Sequence, residues 1–175
     1  MAKPEDKTIL IVDDEDDVRS YLEVALLEAG FKVRTARDGF EALEAVKEQI
    51  PDLISLDLVM PRKSGVKFYR DLITDKAWAK IPIIIVTGHA RDDLGKADLK
   101  ELTMSGPGIY IEKPVKPERY VAAIKEILGL DSTKEEQNMA NQLKLQNELK
   151  DMIDGADPDM LKKIKAALNS KNPRS

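Results

Sequence analysis

Four short stretches carry residues that could do chemistry together. Asp13-Asp14 follows the apolar run Thr8–Val12, Asp57 follows 53–56, Thr87-Gly88 follows 81–86, and Lys113-Pro114 follows 109–111. Several carboxylates in one pocket repel each other, and each favours protonation of its neighbour. A divalent cation relieves that repulsion. Carboxylates, water and a backbone carbonyl suit magnesium, which keeps several waters and takes one or two carboxylates plus phosphate oxygens. One carboxylate of such a set can then attack phosphorus. The Lys113 ammonium and the cation neutralise the oxygens of the transferring group, and the Thr87 hydroxyl donates to one of them. An aspartyl phosphate is an established covalent strategy.

That chemistry requires the four stretches to meet, and the surrounding pattern supplies the means. Thr8–Val12 and 53–56 are unbroken apolar runs, the pattern of strands buried on both faces. The segment 31–36 alternates, 81–86 carries four isoleucines, and 109–111 makes a fifth strand. Helical spacing fills the intervals: 14–29 closed by Gly30, a second helix with Phe40, Leu43, Val46 and Ile50 on one face, then 65–74, 91–104, and 117–128 opened by Pro117. Five strand–helix units predict an α/β fold, a doubly wound five-stranded parallel sheet with helices on both faces. Ligands in such sheets bind at the carboxyl ends of the strands, where all four stretches fall.

After Gly129 the composition turns polar. Ser132, with Glu135 three residues on, reads as a helix start, and the spacing predicts a helix over about 132–153. The stretch 154–157 is turn chemistry. Asp157 caps a second helix, about 157–169, with Pro158 at its first position. Met160, Leu161, Ile164 and Leu168 line one face of that helix, with Lys162, Lys163 and Lys165 toward the other. The chain divides into a domain over 1–130 and a C-terminal helical hairpin over 131–175.

Composition narrows the function. The 175 residues are 42 % hydrophobic and 34 % charged, with a net charge of −4. There is no general basic field for nucleic acid. The absence of cysteine excludes disulfides, thiolate chemistry and cysteine-type zinc sites, and the single histidine, His89, is too few for a histidine-based one. No stretch approaches a membrane span, so the expectation is a cytoplasmic protein.

The full set, Asp13-Asp14, Asp57 within Ser55-Leu56-Asp57-Leu58-Val59-Met60-Pro61, Thr87-Gly88 and Lys113-Pro114, resembles the response-regulator receiver domain of two-component signalling systems over about residues 7–130. The resemblance implies Asp57 as phosphoacceptor and Mg2+ as cofactor. Asp14 would be a direct metal ligand and Asp13 mainly a water-mediated one, with the Val59 backbone carbonyl completing the protein's share. Thr87 and Lys113 would hold phosphoryl oxygens, and Tyr110 matches the switch aromatic that follows the threonine. Val59 and His89 occupy two positions that border the phosphate and tune its lifetime. Implied partners are a sensor histidine kinase or a histidine phosphotransfer protein, and a downstream protein met through the tail or the face of the helix over 91–104.

The chain departs from that pattern in places. The segment between Thr87 and Lys113 is a few residues longer than usual, with an extended loop over 104–108. The tail is not a usual output domain and lacks the basic recognition helix of a DNA reader. It could dock on its own receiver, pair as a homodimer, or wait for a partner. Two other classes compete: a helical assembly or scaffold module regulated by the receiver, and an aspartyl-phosphate hydrolase. The hydrolase usually carries an acid–base Asp two residues after its nucleophile, where this chain has Val59. A dinucleotide-binding fold fits poorly, because Asp13-Asp14-Glu15-Asp16 is the electrostatic opposite of a pyrophosphate cradle.

Overall fold

The computed structural model describes residues 2–88 and 109–170. His89, the expected helix over 91–104 and the expected loop over 104–108 lie outside the described residues, as do the side chains of Ile164, Lys165 and Leu168.

Five strands, β1 (Thr8–Val12), β2 (Lys32–Ala36), β3 (Leu53–Leu56), β4 (Ile83–Thr87) and β5 (Tyr110–Glu112), form one sheet in the order β2-β1-β3-β4-β5. Every pairing is parallel, with Val12 beside Leu56, and Thr87 beside Glu112. The order reverses between β1 and β3, so a crevice opens where Asp13 and Asp57 leave their strands.

Alternation along the strands sorts the core into two layers. Leu10, Val12, Ile54 and Leu56 face α2 (Gly39–Glu48) and α3 (Gly65–Thr74), packing with Val46, Phe68 and Leu72. Ile9, Ile11, Leu53, Ile84 and Val86 face α1 (Asp16–Glu28) and α4 (Pro117–Ile127), packing with Leu22, Leu26, Tyr120 and Ile124. Each such side chain, fully buried, contributes roughly 1.5–3 kcal/mol.

Several boundaries differ from the sequence expectation, each for a local reason. β4 begins at Ile83, two residues late: Ile81 donates to the Trp78 carbonyl in a 3-10 turn, and Pro82 has no N–H to give. α1 begins at Asp16, because the backbone N–H of Glu15 is held by Asp13 Oδ1 at 2.9 Å. α2 ends at Glu48, and Ile50, placed on its buried face from spacing, is exposed; Pro51 disfavours helical backbone at the preceding residue. Phe40 is exposed too, beneath the cations of Arg62 and Lys63.

Beyond α4, Gly129 adopts a positive φ of 62° and Leu130 donates to the Lys125 carbonyl at 2.9 Å, ending the helix. Two helices follow, α5 (Lys134–Asp154) and α6 (Pro158–Ser170). The cap of α5 is Thr133 with Glu136, one residue later than the expected Ser132 and Glu135. Ser132 instead donates to the Leu130 carbonyl. Asp157 caps α6, accepting from Met160 N at 2.8 Å.

α5 lies against α4 and β5. Ala140 and Leu143 are buried, and Leu143 joins the layer of Tyr120 and Ile124. Ion pairs Lys125–Glu136 and Lys144–Glu126, both 2.6 Å, and Lys150–Glu112 at 2.7 Å frame the contact.

Candidate functional site

The carboxyl ends of the strands bring the predicted residues together. Asp13 leaves β1, its N–H donating to the Ala36 carbonyl at 3.1 Å; Asp57 leaves β3, its N–H donating to the Val12 carbonyl at 2.9 Å. Lys113 leaves β5, its N–H donating to the Thr87 carbonyl at 3.1 Å. Those bonds extend the sheet ladder by one residue at each corner and fix where each side chain starts. The Lys113–Pro114 peptide is cis.

Asp13 and Asp57 are 1 % and 4 % exposed, and Lys113 Nζ lies 2.9 Å from Asp13 Oδ2 and 3.0 Å from Asp57 Oδ2. The ammonium therefore bridges two buried carboxylates. A third partner, Glu15 Oε1 at 2.7 Å, comes from the rim. The sequence reading missed Glu15; its position beside Asp13-Asp14 was the only available signal. Burial works against the Lys113 charge, but Glu15, Asp13 and Asp57 outweigh it and push its pKa well above the ordinary lysine range.

One carboxylate oxygen from each of Asp13, Asp14 and Asp57 lies within 4.8 Å of the others, a grouping able to hold a metal ion. Burial is the main cause that raises the Asp13 carboxyl; hydrogen bonds from Lys113 and Glu15 N oppose it. Burial likewise raises Asp14, with the Asp57 charge adding to it. Such a trio gains from a cation, so the residues present fit one.

Asp57 Oδ1 accepts the N–H of Val59 at 3.2 Å, and the Val59 side chain is half-buried. The Thr87 hydroxyl is fully buried and, among the described residues, has no hydrogen-bond partner. A buried donor without an acceptor is costly, and it sits beside the strand end that anchors Lys113. Tyr110 lies within β5, buried, with the Lys150 ammonium 5.5 Å from its ring centre.

Sheet order, the carboxylate–lysine rim and an acidic strand end at the point of reversal define a class of signalling domain, and comparison with known proteins agrees. The sequence profile described as "Response regulator receiver domain" matches residues 9–125. The chain belongs to that family. It is 38 % identical over 122 residues to the phosphate regulon transcriptional regulatory protein PhoB of Pseudomonas aeruginosa, covering 70 % of this chain and 52 % of PhoB. It is 35 % identical over 124 residues to the polar-differentiation response regulator DivK of Brucella ovis, covering 70 % of this chain and 97 % of DivK. The chain thus spans about half the length of PhoB and nearly all of DivK. Among solved structures, chemotaxis protein CheY4 of Vibrio cholerae superposes with a TM-score of 0.61 at 26 % identity, covering 69 % of this chain and 98 % of CheY4. The signal receiver domain of a histidine kinase from Syntrophus aciditrophicus also gives 0.61, at 29 % identity, over 73 % and 95 %. Among the described residues, no helix is long and apolar enough to cross a membrane.

Proposed function

We propose that this chain accepts a phosphoryl group on Asp57 from the phosphohistidine of a sensor kinase or phosphotransfer protein, and relays the change through its C-terminal helices. The observation that carries the reading is the Lys113 ammonium set between buried Asp13 and Asp57, beside a buried Thr87 hydroxyl that has no hydrogen-bond partner among the described residues. In the transfer an Asp57 oxygen forms a bond to phosphorus, and the phosphorus–nitrogen bond breaks with its electron pair leaving on imidazole. Lys113 and Thr87 receive the phosphoryl oxygens, which give the Thr87 hydroxyl an acceptor. Asp13, Asp14, Asp57 and the Val59 carbonyl would hold Mg2+, which would supply positive charge beside those oxygens. Burial of the pocket strengthens each electrostatic contact.

The same residues would act on the chain's own aspartyl phosphate, a self-catalysed reaction and not turnover of a free substrate. Val59 has no proton to transfer, which disfavours a hydrolase. Acetyl phosphate with magnesium should label Asp57 alone, read by borohydride trapping and mass spectrometry. Label persisting at the wild-type level in Asp57→Asn would sink the assignment.

Output through the tail is favoured by where α5 sits. Asn147 and Lys150 grip Tyr110 and Glu112 on β5, one to three residues before Lys113. A change at Lys113 has a short path to that contact.

A further inference from the structure

Asp38, at the β2–α2 corner, is 3 % exposed, and its two carboxylate oxygens do different jobs. Oδ1 caps α2, accepting from Phe40 N at 2.8 Å and Glu41 N at 3.0 Å. Oδ2 pairs with the guanidinium of Arg62, which arrives from the loop that follows Asp57. Burial works against this carboxylate, but the two backbone N–H groups and Arg62 outweigh it and hold the carboxyl below its usual range.

Arg62 has a φ of 64°, the left-handed region that non-glycine residues avoid. Such a conformation persists where the surroundings over-determine it, and these places cluster at functional sites. The next residue is held as well. Gly39 donates to the Lys63 carbonyl at 3.0 Å, and a Cβ on Gly39 would lie 2.9 Å from that oxygen. At the loop's far end Gly65 donates to the Leu58 carbonyl at 3.1 Å; a Cβ there would lie 2.0 Å from the Asp57 carbonyl oxygen. The loop 58–64 is therefore fixed at both ends, and Val59 lies within it.

We propose that Asp38 and Arg62 are a positioning pair for the cation site, holding the 58–64 loop so that Asp57 and the Val59 carbonyl serve one divalent cation. The inference rests on the proposed function and adds residues from a corner outside the Asp13–Asp14–Asp57 group. Groups behind the ligands of a metal site set its affinity by fixing the ligands' orientation.

Titration calorimetry of the full chain with magnesium chloride alone, beside thermal unfolding without metal, tests the pair. Asp38→Asn keeps an oxygen for the α2 cap and loses the charge, since Asn and Asp cap about equally well. Arg62→Gly removes the guanidinium and the positive-φ cost together. Each should weaken magnesium binding about tenfold, with the metal-free unfolding midpoint of Arg62→Gly close to wild type. The double variant should be no weaker than either single one, as expected for two members of one contact. Asp14→Asn serves as the reference that loses binding. Wild-type affinity in Asp38→Asn and Arg62→Gly while Asp14→Asn fails to bind would overturn the pair. Losses that multiply in the double variant would overturn it too. Wild-type affinity in Asp14→Asn would instead remove the cation site, and this inference with it.

Discussion

Asn147 Oδ1 accepts the backbone N–H of Tyr110 at 2.9 Å, and the amide that does so is 5 % exposed. Tyr110 belongs to β5, the edge strand, whose outward N–H groups would otherwise meet solvent or another chain. A helix from the tail thus takes one N–H of that edge. We predict that Asn147→Leu removes the acceptor that this N–H uses, costing roughly 1–3 kcal/mol. Urea unfolding measures the loss, and faster amide exchange at Tyr110 localises it. If tail and acceptor are coupled, a beryllofluoride mimic on wild type should change exchange along α5. Exchange in α5 indifferent to a loaded Asp57 would separate the tail from signalling.

Lys113 contacts one oxygen of each of Asp13 and Asp57, so its charge competes with a divalent cation for these carboxylates. Lys113→Ala should destabilise the metal-free protein by about 3–5 kcal/mol, the cost of stranding buried charge. Magnesium should then raise the unfolding midpoint of the variant more than that of wild type, because binding to the folded state alone adds stability. Labelling by acetyl phosphate should fall at the same time, since a phosphoryl oxygen loses its ammonium partner. Equal midpoint shifts in the two proteins would contradict the competition.

The rim was legible because its members stand at or just after the ends of strands marked by apolar runs, and a parallel sheet carries all strand ends to one side. That order placed Asp13, Asp14, Asp57, Thr87 and Lys113 at one rim, while their individual roles came from the family resemblance. Glu15 was not legible. Its reach to Lys113 spans 98 positions of sequence and depends on α1 starting at Asp16. Asn147 was equally hidden: on α5 it looks like one more polar residue, and only the packing of Leu143 and Ala140 turns it toward β5. Phe40 and Ile50 misled in the other direction. Spacing put them on a buried face that Ala42, Ala45 and Val46 occupy. Helical periodicity does not tell a residue that packs from one that stacks beneath cations at a loop.

Val59 offers no hydrogen bond to a water lined up behind the aspartyl phosphate, and its half-buried apolar side chain tends to exclude one. The phosphorylated protein should therefore be comparatively long-lived. Val59→Asn introduces a donor and acceptor at that position and should shorten the lifetime. The decay of trapped label after the donor is removed gives the comparison. Equal decay in the two proteins would mean that water positioning by this residue is not the control.

Glu136 ties the start of α5 to α4. Its carboxylate accepts Thr133 N at 2.7 Å to complete the α5 cap and pairs with Lys125 of α4 at 2.6 Å. Burial alone would raise its pKa, but Lys125 and Thr133 N outweigh burial, so the folded value lies below the ordinary 4.5. A carboxyl depressed on folding contributes stability that is complete above its unfolded pKa and is lost as the pH falls through the folded one. Capping of this kind contributes about 1 kcal/mol. Wild-type protein should thus keep the start of α5 protected from exchange at neutral pH and lose protection below 4.5, the usual value of an unshifted glutamate. Glu136→Gln keeps an acceptor for the cap but cannot titrate, so its protection there should be lower at neutral pH and nearly flat with acid. A variant profile as steep as wild type's over that range would show that another group holds the helix.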